Sequence, residues 1–300
     1  MLPNIPVDEA LLQEALQDLD NLIGIRSLKQ EIHDIVAVTK FQLSQGEKLL
    51  NNYFYHTLLI GNPGTGKTTI ARILAKLFKA LGVLERGHLV ETDRHGLVAG
   101  YVGHTAAKTN EKIDEALGGV LFIDEAYGLT NHHTMSDYGQ EAIQALIKRM
   151  EDDRGKFFVF AAGYPDNMES FIKSNPGLSS RFDKTLKFFD YEPEDLIQIA
   201  LNMFELATKK ITAKAESHLK KYIHFLYQFR DKYFGNARTM RLLVDDILKK
   251  HKLRLSQQSE SASERKNPNL IILEDLQHLV FKPEEIEFTR KRIGFRGSSN

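Results

Sequence analysis

Apolar residues recur along this chain with two different periods, and the alternation between them marks out the elements. Over residues 8–20, Leu11, Leu12, Ala15, Leu16 and Leu19 fall at helical spacing, and Asn21-Leu22-Ile23-Gly24 breaks the pattern. A second amphipathic helix is predicted over 27–43. HTLLI at 56–60 then reads as a short buried strand, Gly61 to Gly66 as loop chemistry, and the stretch from Thr68 to Leu81 as an alanine- and leucine-rich helix. Buried-strand patterns return at 88–92, 120–124, 157–162 and 184–188, separated by helical patterns at 105–117, 137–151 and 166–173. Strands joined by helices of this length need crossover connections, which build a parallel sheet covered on both faces.

After Pro193 the helical period takes over, at 193–208, 212–230, 236–254 and 274–280. The expected fold is therefore α/β, a doubly wound parallel sheet sandwiched by helices and followed by a small all-α lid. The boundaries are a helical extension over 1–19, an α/β domain over 20–190, a lid over 191–285 and a tail over 286–300, whose last residues from Arg290 are expected to be poorly ordered. SQQSESASERKNPN at 256–269 is polar and turn-rich, an exposed loop within the lid.

Composition narrows the function classes. With 300 residues, 42% hydrophobic and 27% charged, the chain suits one large α/β domain and a smaller companion. Forty basic residues balance forty acidic ones, so there is no net pull toward nucleic acid or anionic membrane. The absence of cysteine excludes disulfides, thiolate metal sites and cysteine nucleophiles, and agrees with a cytoplasmic setting. The first twenty residues carry acids where a signal peptide has basic residues, and no apolar run is long enough for a membrane span.

The most specific motif is Gly61-Asn62-Pro63-Gly64-Thr65-Gly66-Lys67-Thr68, with Thr69 following, set between a predicted strand and a predicted helix. Its glycines let backbone amides turn around phosphate oxygens where a side chain would block approach, and the helix N-terminus adds partial positive charge. Lys67 supplies a cation for the β and γ phosphates of ATP, and the Thr68 hydroxyl a ligand for Mg2+. The second motif, Val120 to Glu125, is an apolar strand ending in two carboxylates. Alone, that is more often a solvated edge. After a phosphate loop it assigns Asp124 to the metal and Glu125 to the attacking water, and favours hydrolysis over a nucleotide-controlled scaffold.

GNPGTGKTT, GLVAGYVGHTAAKT, GGVLFIDEAY, DYGQEAI, AGYPDNM, SNPGLSSRF and GNARTMR, in that order, resemble the AAA+ ATPases over about residues 18–250. More narrowly they resemble the branch of the red-type Rubisco activase CbbX, the sporulation protein SpoVK and the ATPases of mycobacterial type VII secretion. The resemblance implies that Ile23 and Gly24 flank adenine, although an ordinary connecting turn fits them as well. It implies that Tyr101-Val102-Gly103 form a pore loop gripping polypeptide, against the plainer reading of Tyr101 as an incidental surface aromatic. It further implies that Arg181 is an arginine finger reaching a neighbouring subunit and that Arg238 is the second-sensor arginine. Read alone, the first is an ion-paired surface arginine and the second a local helix-start contact.

One departure stands out. The stretch Ala161-Ala162-Gly163-Tyr164 offers only Tyr164 where many members carry an asparagine or threonine sensor. Other constellations are weaker. Adjacent His132 and His133 point apart and make a poor metal site, and Asp152 and Asp153 are expected to meet solvent. Phe225, Tyr227, Phe229, Tyr233 and Phe234 are better lid core than a nucleic-acid stacking surface. The implied function is an ATP-driven remodeller of a protein client, working as a homo-oligomeric, most simply hexameric, ring. The alternative is a DNA-associated loader or initiator. Arg290-Lys291-Arg292-Ile293-Gly294-Phe295 leans toward a SpoVK-like member, and the chain is open to being one module of a longer protein.

Overall fold

The computed structural model describes residues 5–45, 56–101, 103–130, 138–182, 184–232, 234–257 and 267–282. Val102, His132, His133, Tyr233, most of the 256–269 loop and the 286–300 tail lie outside the described residues. The chain divides into two compact units: Met1–Asn62 with Gly66–Phe189, and Pro63–Thr65 with Asp190–Asn300.

In the first unit, α1 (Glu9–Asp20) and α2 (Arg26–Ser44) precede β1 (Thr57–Gly61) and α3 (Lys67–Ala80). Then follow β2 (Leu89–Thr92), α4 (Arg94–Leu97), α5 (Thr105–Ala116), β3 (Val120–Ile123), a 3-10 turn over Ala126–Thr130, α6 (Gly139–Asp152) and β4 (Phe158–Gly163). α7 (Pro165–Lys173), α8 (Pro176–Ser179) and β5 (Lys184–Phe188) complete the unit. All five strands are parallel, in the order β2-β3-β4-β1-β5.

Strand period decides which core each side chain joins. Leu59, Phe122, Phe160 and Leu186 face one layer with Leu12, Leu19, Ile32, Ile70, Leu74 and Leu77 from α1, α2 and α3. Leu58, Leu121, Val159 and Ala161 face the other, with Ile113 of α5 and Ile143 and Leu146 of α6. Every residue of β3 and β4 is buried, as parallel strands covered on both faces require. α1 starts at Asp8, whose carboxylate accepts the Leu11 N–H at 3.0 Å, and it buries Leu12, Ala15 and Leu19.

In the second unit, α9 (Pro193–Leu206), β6 (Lys210–Ile211), α10 (Ala213–Gln228), α11 (Asn236–Ser256) and β7 (Leu270–Ile271) run in order. Pro193 opens α9 at a position where its missing N–H has no helical partner to lose. Leu196 and Phe204, Leu219 and Ile223, and Met240 and Ile247 form the buried faces of the three helices.

The structure corrects several expectations. The lid is helical as expected but adds a two-residue parallel pairing of β6 with β7, and the predicted helix at 274–280 is a 3-10 turn over Leu273–Leu276. At two and four residues these elements are too short for an apolar period to repeat in the sequence. Asp153 is held between Arg149 at 2.6 Å and Lys156 at 2.8 Å, while Asp152 is exposed. Among the described aromatics of the lid, Phe234 is buried but Phe229 is 41% exposed, its ring tilted against Phe225 at 5.0 Å.

Candidate nucleotide site

The phosphate loop leaves the end of β1, which lies between β4 and β5, and the two carboxylates leave the end of β3 on the far side of β4. Ligands of open parallel sheets bind beyond these carboxyl ends. Gly61 closes β1 where a Cβ would come within 2.4 Å of Phe188 O, and Gly64 and Gly66 stand at φ 67° and 95°. Thr65 is fully buried, Thr68 is half-buried and Thr69 is exposed.

Lys67 is the first residue of α3, and its Nζ donates to Gly61 O at 2.7 Å and Asn62 O at 2.8 Å. Burial pulls its pKa from 10.5 down to about 8, and the Asp124 and Glu125 carboxylates partly offset that fall. Those two acids therefore lie in the electrostatic reach of the lysine, as a γ-phosphate site needs. Asp124 is exposed, and its N–H donates to Thr92 O at 2.8 Å, continuing the ladder past β3. Glu125 is exposed at φ 48°, a left-handed conformation that glutamate adopts only when its surroundings impose it. Its N–H donates to Asp124 Oδ1 at 3.0 Å, and its carbonyl accepts the Gly128 N–H at 2.7 Å, so the turn is fixed from both sides.

A hydroxyl at Thr68 and an exposed carboxylate at Asp124 make an all-oxygen donor set suited to a hard cation such as Mg2+. Among the described residues no group of three or more His, Asp or Glu could hold a metal.

Tyr127 is a site residue that sequence reasoning passed over, although it stands in the quoted GGVLFIDEAY. Its hydroxyl is in hydrogen-bonding reach of Asn167 and Glu125, and burial, followed by the Glu125 charge, pushes its pKa up. Its ring lies 5.8 Å from that of Tyr164. A Cβ on Gly163 would come within 2.6 Å of Met168 Sδ and 2.9 Å of the Tyr127 ring. A side chain at Gly163 would therefore have to displace Met168 and the Tyr127 ring, which leaves Tyr164 as the polar residue at the end of β4.

The remaining predicted residues fall as follows. Ile23 and Gly24 form the turn between α1 and α2, with Gly24 at φ 68° and Ile25 at 47°. Tyr101 is 79% exposed, which removes it from any core, and Gly103 stands at φ 77° with nothing within 4 Å of where a Cβ would stand. The segment just before is tied down: Lys108 Nζ donates to Val98 O at 3.0 Å and Thr109 Oγ1 to Leu97 O at 3.0 Å. Arg181 is not an open cation. It donates to Glu151 Oε2 at 3.1 Å and Gly177 O at 3.2 Å, and its Nε is buried without a partner. Arg238 lies exposed in the first turn of α11.

Comparison with known proteins agrees with this geometry. Residues 57–189 match the ATPase family associated with various cellular activities (AAA), and residues 192–286 match an AAA lid domain. Stage V sporulation protein K of Bacillus subtilis is 39% identical over 249 residues, 82% of this chain and 77% of that protein. CbbX of Cereibacter sphaeroides is 42% identical over 236 residues, covering 78% and 76%. The chloroplastic ribulose bisphosphate carboxylase/oxygenase activase of Cyanidioschyzon merolae is 40% identical over 237 residues, covering 78% and 80%. Among solved structures, the FIGL-1 AAA domain in complex with ADP superposes with a TM-score of 0.60 at 19% identity, covering 91% of this chain and 90% of that one. A RuvB variant of Thermotoga maritima superposes at 0.58 and 20% identity, covering 91% and 76%. These last two share the fold. With a phosphate loop, a strand-end carboxylate pair and about 40% identity to CbbX and stage V sporulation protein K over most of its length, the chain belongs to the AAA+ ATPases, in the branch of those two proteins.

Proposed function

We propose that this ATPase works in the cytoplasm as a homo-oligomeric ring, most simply a hexamer, which uses hydrolysis to remodel a protein client. The observation that carries the protein reading is Tyr101, a 79% exposed aromatic beside a glycine with empty space around it, on a loop anchored by Lys108 and Thr109. An aromatic so exposed costs solvation and offers a broad apolar grip to any polypeptide side chain. The zero net charge supplies no comparable attraction for a nucleic acid. One relative is named an activase of a carboxylase, so a large enzyme is a client class in reach of this branch.

In the same reading Thr68 and Asp124 hold Mg2+, which neutralises charge on the β and γ oxygens. The loop from Asn62 to Thr69, through its backbone amides other than that of Pro63, and the Lys67 ammonium bind the triphosphate, Glu125 orients the attacking water, and Tyr127 steadies Glu125. Ile23 and Gly24 flank the base, Arg238 contacts nucleotide, and Arg181 serves the next subunit's site.

The test places a photo-cross-linking phenylalanine analogue at Tyr101 in a Glu125→Gln background, which should retain ATP and turn it over about 100-fold more slowly or worse. Casein serves as an unfolded polypeptide. ATP-dependent cross-linking from position 101, absent when the analogue replaces exposed Phe41, is the expected result. No ATP-dependent cross-link, together with turnover stimulated by DNA, would sink the protein-remodelling reading.

A further inference from the structure

The tip of the phosphate loop, Pro63–Thr65, belongs to the second unit, and the residue on which it hangs has no part in the chemistry above. Asn236 opens α11, is completely buried, and stands at φ 46°. Asparagine is among the few side chains that tolerate this left-handed backbone. Its carboxamide is saturated. Oδ1 accepts the Tyr191 N–H at 3.0 Å, while Nδ2 donates to Asp190 Oδ1 at 2.8 Å, Phe234 O at 3.0 Å and Pro63 O at 3.2 Å. Two amide hydrogens thus serve three acceptors, and the reversed amide would set an oxygen against all three, so its orientation is determined.

A second contact runs alongside. The Ala237 N–H donates to Gly64 O at 3.2 Å, and a Cβ on Gly64 would come within 2.1 Å of Gly235 O and 2.8 Å of Arg238 N. In a planar trans peptide the carbonyl points opposite to the N–H of the following residue. A donor on Pro63 O therefore turns the Gly64 N–H away from α11, and a donor on Gly64 O does the same for the Thr65 N–H. The loop amides are aimed by hydrogen bonds made on their back side.

We propose that Asn236 is a positioning residue for nucleotide binding. Its carboxamide aims the phosphate-loop amides through the Pro63 carbonyl, and it links loop occupancy to the Tyr191 N–H, where the second unit begins. This inference rests on the phosphate-loop reading and adds a residue to it.

Asn236→Gly keeps the left-handed backbone and deletes the amide, and Asp190→Ala removes one anchor of that amide at a half-buried site. The readouts on the full chain are the affinity for a fluorescent methylanthraniloyl-ADP and the hydrogen exchange of the Tyr191 amide with and without ADP. Asn236→Gly should bind about tenfold more weakly or worse and lose the ADP-induced slowing at Tyr191, and Asp190→Ala should bind about two- to threefold more weakly. A purely structural role would lower the melting temperature and leave the ADP-induced slowing in place. Wild-type affinity in both variants overturns the proposal. If Asn236→Gly does not fold, Asp190→Ala decides in the same way. Lys67→Ala is the control: its binding at wild-type affinity sinks the phosphate-loop reading itself, whereas its loss of binding beside an unaffected Asn236→Gly sinks only the role of Asn236.

Discussion

Lys67 keeps its ammonium group half out of water, with two carbonyls of its own loop as hydrogen-bond partners. Burial lowers its pKa to about 8, so the chain without nucleotide sheds this proton inside an ordinary laboratory pH range. The sign of the consequence is definite. Bound phosphate stabilises the ammonium form and raises the pKa again, so binding above pH 8 takes up a proton and affinity falls as pH rises through 8. Calorimetry of ADP binding in buffers of differing ionisation enthalpy should show uptake approaching one proton near pH 9 and little at pH 7; equal uptake in Lys67→Met would overturn the assignment. Stability moves the other way. The unfolded lysine titrates near 10.5, so burying the charged form weakens the fold below pH 8, and that penalty eases as pH rises from 8 to 10.5. Glu125 is the other residue whose environment could not be read from its identity. Asp-Glu at a strand end was legible as chemistry, whereas φ 48° follows from the turn that Gly128 and Asp124 close around it.

Legibility of the elements follows their length. α1, α3, α6, α9, α10 and α11 each span three turns or more, and their apolar period stands out in sequence. The four-residue α4 and α8 and the two-residue β6 and β7 show no period at all. α8 did carry a signal in Asn175-Pro176: the asparagine side chain accepts the Gly177 N–H at 2.8 Å and proline occupies the first helical position. The end of the second unit is held by a buried ionic cluster. Asp275 accepts from Arg254 Nε at 2.7 Å and from the Ile272 N–H at 3.0 Å, and His251 Nδ1 lies 3.3 Å away. Despite burial, which raises it, the Arg254 and Ile272 hydrogen bonds hold the Asp275 pKa below its usual value. The cluster therefore stabilises above the ordinary aspartate pKa, and that contribution is lost as pH falls through the lowered one. Asp275→Ala should destabilise the second unit by about 3–5 kcal/mol, as expected when one member of a buried pair is removed. Urea unfolding at pH 7 measures it, and a change under 1 kcal/mol would show the cluster to be dispensable.

At the scale of the whole molecule, the question is whether one chain holds a complete site. Loop amides, Lys67 and a metal stabilise ground-state charge, but phosphoryl transfer in related P-loop enzymes gains about 10³ to 10⁵ in rate from an added arginine. Arg181 in this structure is paired with Glu151, whose side chain is 63% exposed. The Arg181 side chain is only 22% exposed, but its acidic partner stands in solvent, so the pair is screened and worth on the order of 1 kcal/mol, small beside the attraction of a neighbour's triphosphate. Arg181→Ala should bind ATP and hydrolyse it poorly, Lys67→Ala should be inactive, and mixing the two should restore turnover. Activity per chain should also rise with concentration. A dilute monomer at full rate, with no rescue in the mixture, would refute a shared site. The sequence by itself determined the sheet-and-lid architecture, the phosphate loop and the carboxylate pair, because strand period, glycine placement and metal-binding chemistry are local properties of the chain. Only the tertiary structure decided that Gly163 must lack a side chain beneath Tyr127, that Arg181 rests on Glu151, and that Asn236 holds Pro63. Each of these depends on segments far apart in sequence meeting at hydrogen-bonding or van der Waals distance, and no local pattern records such a meeting.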